Sequence, residues 1–170
     1  MSSSSSDIPK GNRFFIWFVF LVYSAIMVKI IVVKKTGFFI HSLRQTWRHG
    51  GFKKTALSPN WTIFKNINNY LAPNANKLEA FANVGGNIII FIPFGILVAM
   101  LLRGRYKAIK TIILGFLLSI GFEFFQLYTS CGNFDVDDIM LNTLGAIIGV
   151  VFWRIGNYML HAFVSYKTKM

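Results

Sequence analysis

Glu123 lies inside TIILGFLLSIGFEFFQLY (Thr111–Tyr128), a stretch otherwise almost wholly apolar. A carboxylate near the middle of a membrane helix costs roughly 2.5–3.5 kcal/mol on insertion scales, which makes such a residue a functional-site candidate by default. Gln126 follows three residues later and shares its helix face. Asp135, Asp137 and Asp138 come in the next short connection, with Asn142 four residues beyond Asp138 and Asn87 near the start of another apolar run. A carboxyl at membrane depth needs water, a partner or a proton. Three kinds of chemistry meet that need. The groups can form a structural network that holds helices in register, a site for a polar ligand or lipid headgroup, or an acid–base centre with Glu123 as the candidate catalytic residue. Carboxylates also suit a hard cation such as Mg²⁺ or Ca²⁺. The three histidines, His41, His49 and His161, lie away from the cluster, which argues against zinc. No metal or cofactor is assigned. The sequence has no G-x-S-x-G, H-E-x-x-H or P-loop pattern.

The elements that must position these groups are membrane helices. The chain has 170 residues, 54% of them hydrophobic and 14% charged. Its mean hydropathy is +0.52. Its apolar residues fall in long unbroken runs instead of alternating stripes, the pattern of bilayer-spanning helices. The expected fold is therefore all-α: a polytopic membrane protein with four transmembrane helices, at about 14–33, 84–102, 111–129 and 139–158. Residues 1–13 are expected to be a disordered cytoplasmic N-terminus opening on MSSSSS, 14–160 the membrane domain, and 161–170 a cytoplasmic tail. The first run is long and lacks a small-residue cleavage site, so it reads as an uncleaved signal anchor. In the second, Pro93 removes a backbone donor, which membrane bundles tolerate. In the fourth, Gly145 and Gly149 form a small-xxx-small pair suited to close helix approach.

The connection 34–83 carries an amphipathic stretch. Ile63, Phe64, Ile67, Tyr70 and Leu71 recur at helical spacing opposite Lys65, Asn66, Asn68 and Asn69, which predicts a helix lying in the interface with Trp61 as its anchor. Phe38, Phe39, Leu43 and Trp47 form a weaker case of the same kind. Packing of both apolar faces on the bundle is the competing reading. The net charge of +12 comes from Lys and Arg that flank the apolar runs, which suits membrane headgroups and topology, not nucleic acid. The single cysteine, Cys131, can make no internal disulfide and is read as a tolerated residue in a turn.

The short connector bearing Arg103, Arg105, Lys107 and Lys110 is the clearest orientation marker, and the positive-inside rule puts it in the cytoplasm. The acidic connector and the connection 34–83 are then extracytoplasmic and both termini cytoplasmic. Arg44, Arg48, Lys53, Lys54, Lys65 and Lys77 in the long connection pull the other way. In this orientation the carboxylates and amides share one depth near the outer surface.

Three segments in order, NIIIFIPFGILV (Asn87–Val98), GFEFFQ (Gly121–Gln126) and FDVDDIMLNTLGAIIG (Phe134–Gly149), resemble the VanZ-like family of small bacterial membrane proteins, whose founding member is an accessory factor in teicoplanin resistance. The resemblance covers roughly 59–149, including SPNWTIFKNINNYL. It implies a four-helix protein of the bacterial plasma membrane, reduced susceptibility to glycopeptides or cationic antimicrobial peptides, and no established reaction. It also implies roles for Glu123, Gln126, Asp135, Asp138 and Asn142. Many members have Arg where this chain has Asn133 just before the Phe-Asp pair. The expected function is to bind or modulate a cell-wall precursor or lipid headgroup at the outer face, with Asn87, Glu123, Gln126, Asp135, Asp138 and Asn142 as binding residues. The expected partners are membrane lipids and a lipid-linked cell-wall precursor. The alternative is a membrane enzyme that modifies such a precursor through the acidic site around Glu123.

Overall fold

The structure, a computed structural model, describes residues 10–33, 59–129 and 134–168. The MSSSSS opening, the second amphipathic stretch Phe38–Trp47, the cations Arg44, Arg48, Lys53 and Lys54, Cys131 and Asn133 lie outside these residues.

Apolar runs become helices here because a backbone in hydrocarbon must satisfy its own hydrogen bonds. Four helices are long and apolar enough to cross a membrane: α1 (Lys10–Val33), α3 (Lys77–Leu101), α4 (Lys107–Thr129) and α5 (Val136–Thr168). The short α2 (Lys65–Leu71) precedes α3. Helices α3 and α5 are longer than the roughly 20 residues a crossing needs. Helix α3 begins among polar residues, where Asn76 Oδ1 accepts the Leu78 N–H at 3.1 Å and caps the first turn. Helix α5 has 33 residues. At ~1.5 Å per residue it is about 50 Å long, well beyond a hydrocarbon core of roughly 30 Å.

The four long helices run alternately up and down. The Arg13 guanidinium, near the start of α1, donates to the Leu101 carbonyl at the end of α3 (3.2 Å). Lys107, opening α4, sits 4.1 Å from the Trp153 ring centroid on α5. The turn between α3 and α4 uses Gly104 at φ 92°, a left-handed conformation that suits glycine. These contacts gather basic residues at one end of the bundle. The start of α3, the end of α4, the start of α5 and the segment leading into α2 meet at the other end.

Helices α3 and α5 form the most extensive interface. Gly145 and Gly149 make it possible: a Cβ at Gly145 would collide with the Ile88 carbonyl oxygen, and one at Gly149 with that of Ile92. Gly95 of α3 meets the Ala146 carbonyl in the same way. Phe91, Phe94, Val98, Phe122, Met27 and Ala146 pack as the core. On α4 the buried stripe is Thr111, Gly115, Ser119, Phe122 and Glu123, a helical period, while Ile113, Phe116, Leu117 and Phe124 face outward. Exposed apolar side chains on the outer face of such a bundle are what lipid requires.

Helix α1 packs chiefly on α3. The Tyr23 hydroxyl donates to the Ile90 carbonyl, within a turn of Pro93 where the α3 ladder lacks a donor. Tyr23→Phe should therefore cost about 1 kcal/mol, the net worth of one hydrogen bond. The cost should register as a lower melting temperature of the solubilised protein, and an unchanged melt would remove this bond as the α1 anchor.

The amphipathic stretch is helical over Lys65–Leu71 only. Ile63 and Phe64 precede the helix in a turn, because Phe64 adopts a left-handed conformation (φ 64°) that ends any continuous helical register through them. For a residue with a Cβ this conformation costs roughly 1–2 kcal/mol, so the surroundings must hold it.

Candidate acidic site at one end of the bundle

The FDVDD segment starts α5. Asp135 stands at the N-cap, and its Oδ1 accepts the Asp137 N–H at 3.0 Å. Three acidic groups at this position also favour the positive end of the helix dipole. Part of the acidic motif is therefore explained by the start of a helix. Their remaining oxygens do more.

Asn60 fastens the segment before α2 to this helix start. Its N–H donates to the Phe134 carbonyl (2.7 Å), and its own carbonyl accepts the Val136 N–H (3.1 Å), a single parallel bridge. Its side-chain Nδ2 donates to Asp135 Oδ1 at 2.8 Å, and its Oδ1 accepts the Thr62 N–H at 3.2 Å. Two residues on, the Phe64 N–H donates to Asp137 Oδ1 at 2.5 Å. That charge-assisted bond holds the left-handed Phe64 in place. Trp61 stacks on Phe134 with ring centroids 4.4 Å apart, and Phe134 meets Phe124 edge-on at 5.6 Å. Residues 59–64 thus form a strap across the start of α5.

Glu123 supports the strap from below. Its side chain is 2% exposed and turned into the bundle, and its Oε2 accepts the Asp135 N–H at 2.8 Å. A membrane-embedded carboxylate is here spent on a backbone donor that would otherwise lie unpaired. Asp138, half-buried, accepts from Asn87 Nδ2 at 2.5 Å and ties α5 to α3. Asn142, one turn further, donates through Nδ2 to Ser119 Oγ at 2.8 Å and ties α5 to α4. Gln126 follows Glu123 on the same face, half-buried, and takes no part in these bonds. Among the described residues no buried side-chain nitrogen or oxygen lacks a hydrogen-bond partner. Among them, too, no three of His, Cys, Asp and Glu gather as a metal site.

Two layers result. Glu123, Asp137 and Asn142 are buried and build the site. Asp135, Asp138 and Gln126 are half-buried and can still be approached. Exposed Trp61, Ile63, Phe64, Phe124 and Phe125 belong to the same end. Half-buried carboxylates and an amide beside exposed apolar side chains can accept hydroxyl and N–H donors from an amphiphile whose tail stays in lipid.

The family model for VanZ/LLP1 matches residues 20–157, most of the chain. The chain belongs to the VanZ/LLP1 family. It is also similar to Protein VanZ of Enterococcus faecium, with 34% identity over 85 residues, covering 45% of this chain and 47% of that protein. The match thus spans about half the length of the curated relative. No solved structure matches the chain. Family membership and the four apolar helices make this a multi-pass membrane protein.

Within this VanZ/LLP1 member, sequence reasoning singled out the acidic and amide groups but missed their most connected partner, Asn60. Its role comes from a bridge to residues about 75 positions away, which no local spacing announces. Ser119 was also missed, although it lies one turn before Glu123 on the same face and could have been found from that spacing.

Proposed function

We propose that this VanZ/LLP1 protein lowers susceptibility to teicoplanin-type glycopeptides, or to cationic antimicrobial peptides, by engaging a lipid-linked cell-wall precursor or lipid headgroup at the outer face of the bacterial plasma membrane. The observation that carries this reading is the meeting of Asp135, Asp138, Asn87 and Gln126 with exposed aromatic residues at one end of the bundle. The half-buried carboxylates would accept hydroxyl and amide donors of the precursor. Arg44, Arg48, Lys53 and Lys54 of the long connection would supply charge to its phosphates. Both termini and the basic turn between α3 and α4 are placed in the cytoplasm by the positive-inside rule. Glu123, held against a backbone N–H, suits a supporting role better than acid–base work.

Asp135→Asn and Asp138→Asn test this reading. Asparagine caps a helix as well as aspartate and can still accept from Asn60 or Asn87, so shape is kept while charge is removed. Loss of a charge-assisted bond to the ligand, about 1.5–3 kcal/mol, corresponds to roughly 10- to 100-fold weaker binding. Both variants should reach the membrane at normal abundance and lose teicoplanin protection in a susceptible host. Full protection by both would overturn the proposal.

A further inference from the structure

Away from the acidic site, α1 leans on α3 and leaves a groove between itself and α4. Trp17 and Met27 of α1, Phe94 and Val98 of α3, and Leu114 and Leu118 of α4 are among its walls, which enclose about 430 Å³. The lining is almost wholly apolar, and the groove is open along one side. Ordered water needs several polar partners, which these walls do not offer. The medium outside a bundle at this depth is lipid hydrocarbon, so a space of this shape suits an acyl chain.

The charge around the groove selects the lipid. Leu101 and Leu102 line its end. There Arg13 spends one N–H on the Leu101 carbonyl, out of the five donors a guanidinium carries. Arg103 and Arg105 follow directly in the exposed turn to α4. The carboxylates lie at the far end: Asn87, which bonds Asp138, is about 21 Å along α3 from Leu101 at ~1.5 Å per residue. A tail in the groove therefore brings its headgroup to guanidinium groups, and the opposite polarity would bring an anion towards carboxylates. Basic pockets between helices are the usual seat of anionic headgroups.

We propose that this groove is a binding site for one anionic phospholipid, its tail between α1 and α4 and its phosphate at Arg13 and the Arg103–Arg105 turn. The site is separate from the acidic end and does not depend on the function proposed there. It also explains how α1, which is mostly exposed and packs chiefly on α3, keeps its place: the lipid tail fills the wedge that protein leaves open.

The test is native mass spectrometry of the full chain released from nanodiscs containing equal amounts of phosphatidylglycerol and phosphatidylcholine with the same tails. The wild-type protein should retain one phosphatidylglycerol with a preference of about tenfold or more over phosphatidylcholine, a difference of ~1.4 kcal/mol. Arg13→Gln should bring retention of phosphatidylglycerol down to that of phosphatidylcholine. Ser24→Phe, which fills the groove from α1, should remove the bound lipid whatever its headgroup. Arg13 alone keeps the test decisive if the groove-filling variant does not fold. Equal retention of both lipids by the wild type would overturn the proposal. So would undiminished phosphatidylglycerol in Arg13→Gln, or a lipid-free dimer in place of the lipid-bound chain.

Discussion

Glu123→Leu is expected to release the strap while leaving the protein in the membrane. Leucine removes the Glu123 oxygen that accepts the Asp135 N–H, and losing the acceptor of a buried donor costs about 1–3 kcal/mol. The same substitution makes α4 easier to insert, because a central carboxylate costs roughly 2.5–3.5 kcal/mol and leucine is favourable. Abundance should therefore hold or rise, and the damage should be local. Hydrogen exchange at the amides of residues 59–64 and 135–137 should accelerate by about tenfold or more, the equivalent of ~1.4 kcal/mol, while the α3–α5 interface stays protected. Glu123→Gln retains a carbonyl oxygen for the same bond and should exchange nearly as the wild type does. If Glu123→Gln and Glu123→Leu loosen the strap equally, the negative charge matters more than the hydrogen bond. If neither does, Glu123 does not hold Asp135.

The second large effect is expected at Gly149. A side chain there meets the Ile92 carbonyl oxygen and the Cα of Gly95, which are backbone atoms with no rotamer to retreat into. Overpacked cores lose typically 1–3 kcal/mol when side chains can adjust. Here α3 and α5 must part, so Gly149→Leu should cost about 3 kcal/mol or more. Parting these helices also draws Asn87 from Asp138, so stability and protection should fall together. Gly156→Leu on the same helix meets nothing within 4 Å and should be neutral. Thermal melts in detergent, paired with drug susceptibility, check both. A Gly149→Leu protein that melts like the wild type would show that close backbone approach does not hold this bundle together.

The four spans were legible in the sequence because hydropathy reports directly on what bilayer hydrocarbon demands. Glu123 stood out for the same reason in reverse, as a charge where the solvent is oil. The depth shared by Glu123, Asp135, Asp138, Asn142 and Asn87 was also legible, since it follows from helix direction alone. Their partners were not. Nothing local pairs Asn60 with Phe134 or Phe64 with Asp137, because those bonds depend on where a long connection returns. The left-handed Phe64 was equally hidden: the spacing of Ile63, Phe64 and Ile67 fits a helix, and a tertiary bond to Asp137 overrides it. The Gly145–Gly149 pair is legible as a packing device, since its meaning lies in size and spacing, both of which a sequence displays.

In the proposed orientation the acidic end of the bundle faces outward and does the protein's work there. The single cysteine of the sequence, Cys131, falls between the last residue of α4 and the first of α5. It can be probed in intact cells with a membrane-impermeant maleimide, beside a Cys131→Ser control carrying Arg105→Cys in the basic turn. Cys131 should label from outside without permeabilisation, and the cysteine at 105 only after the membrane is opened. Labelling of Cys131 confined to inside-out vesicles would contradict the claim.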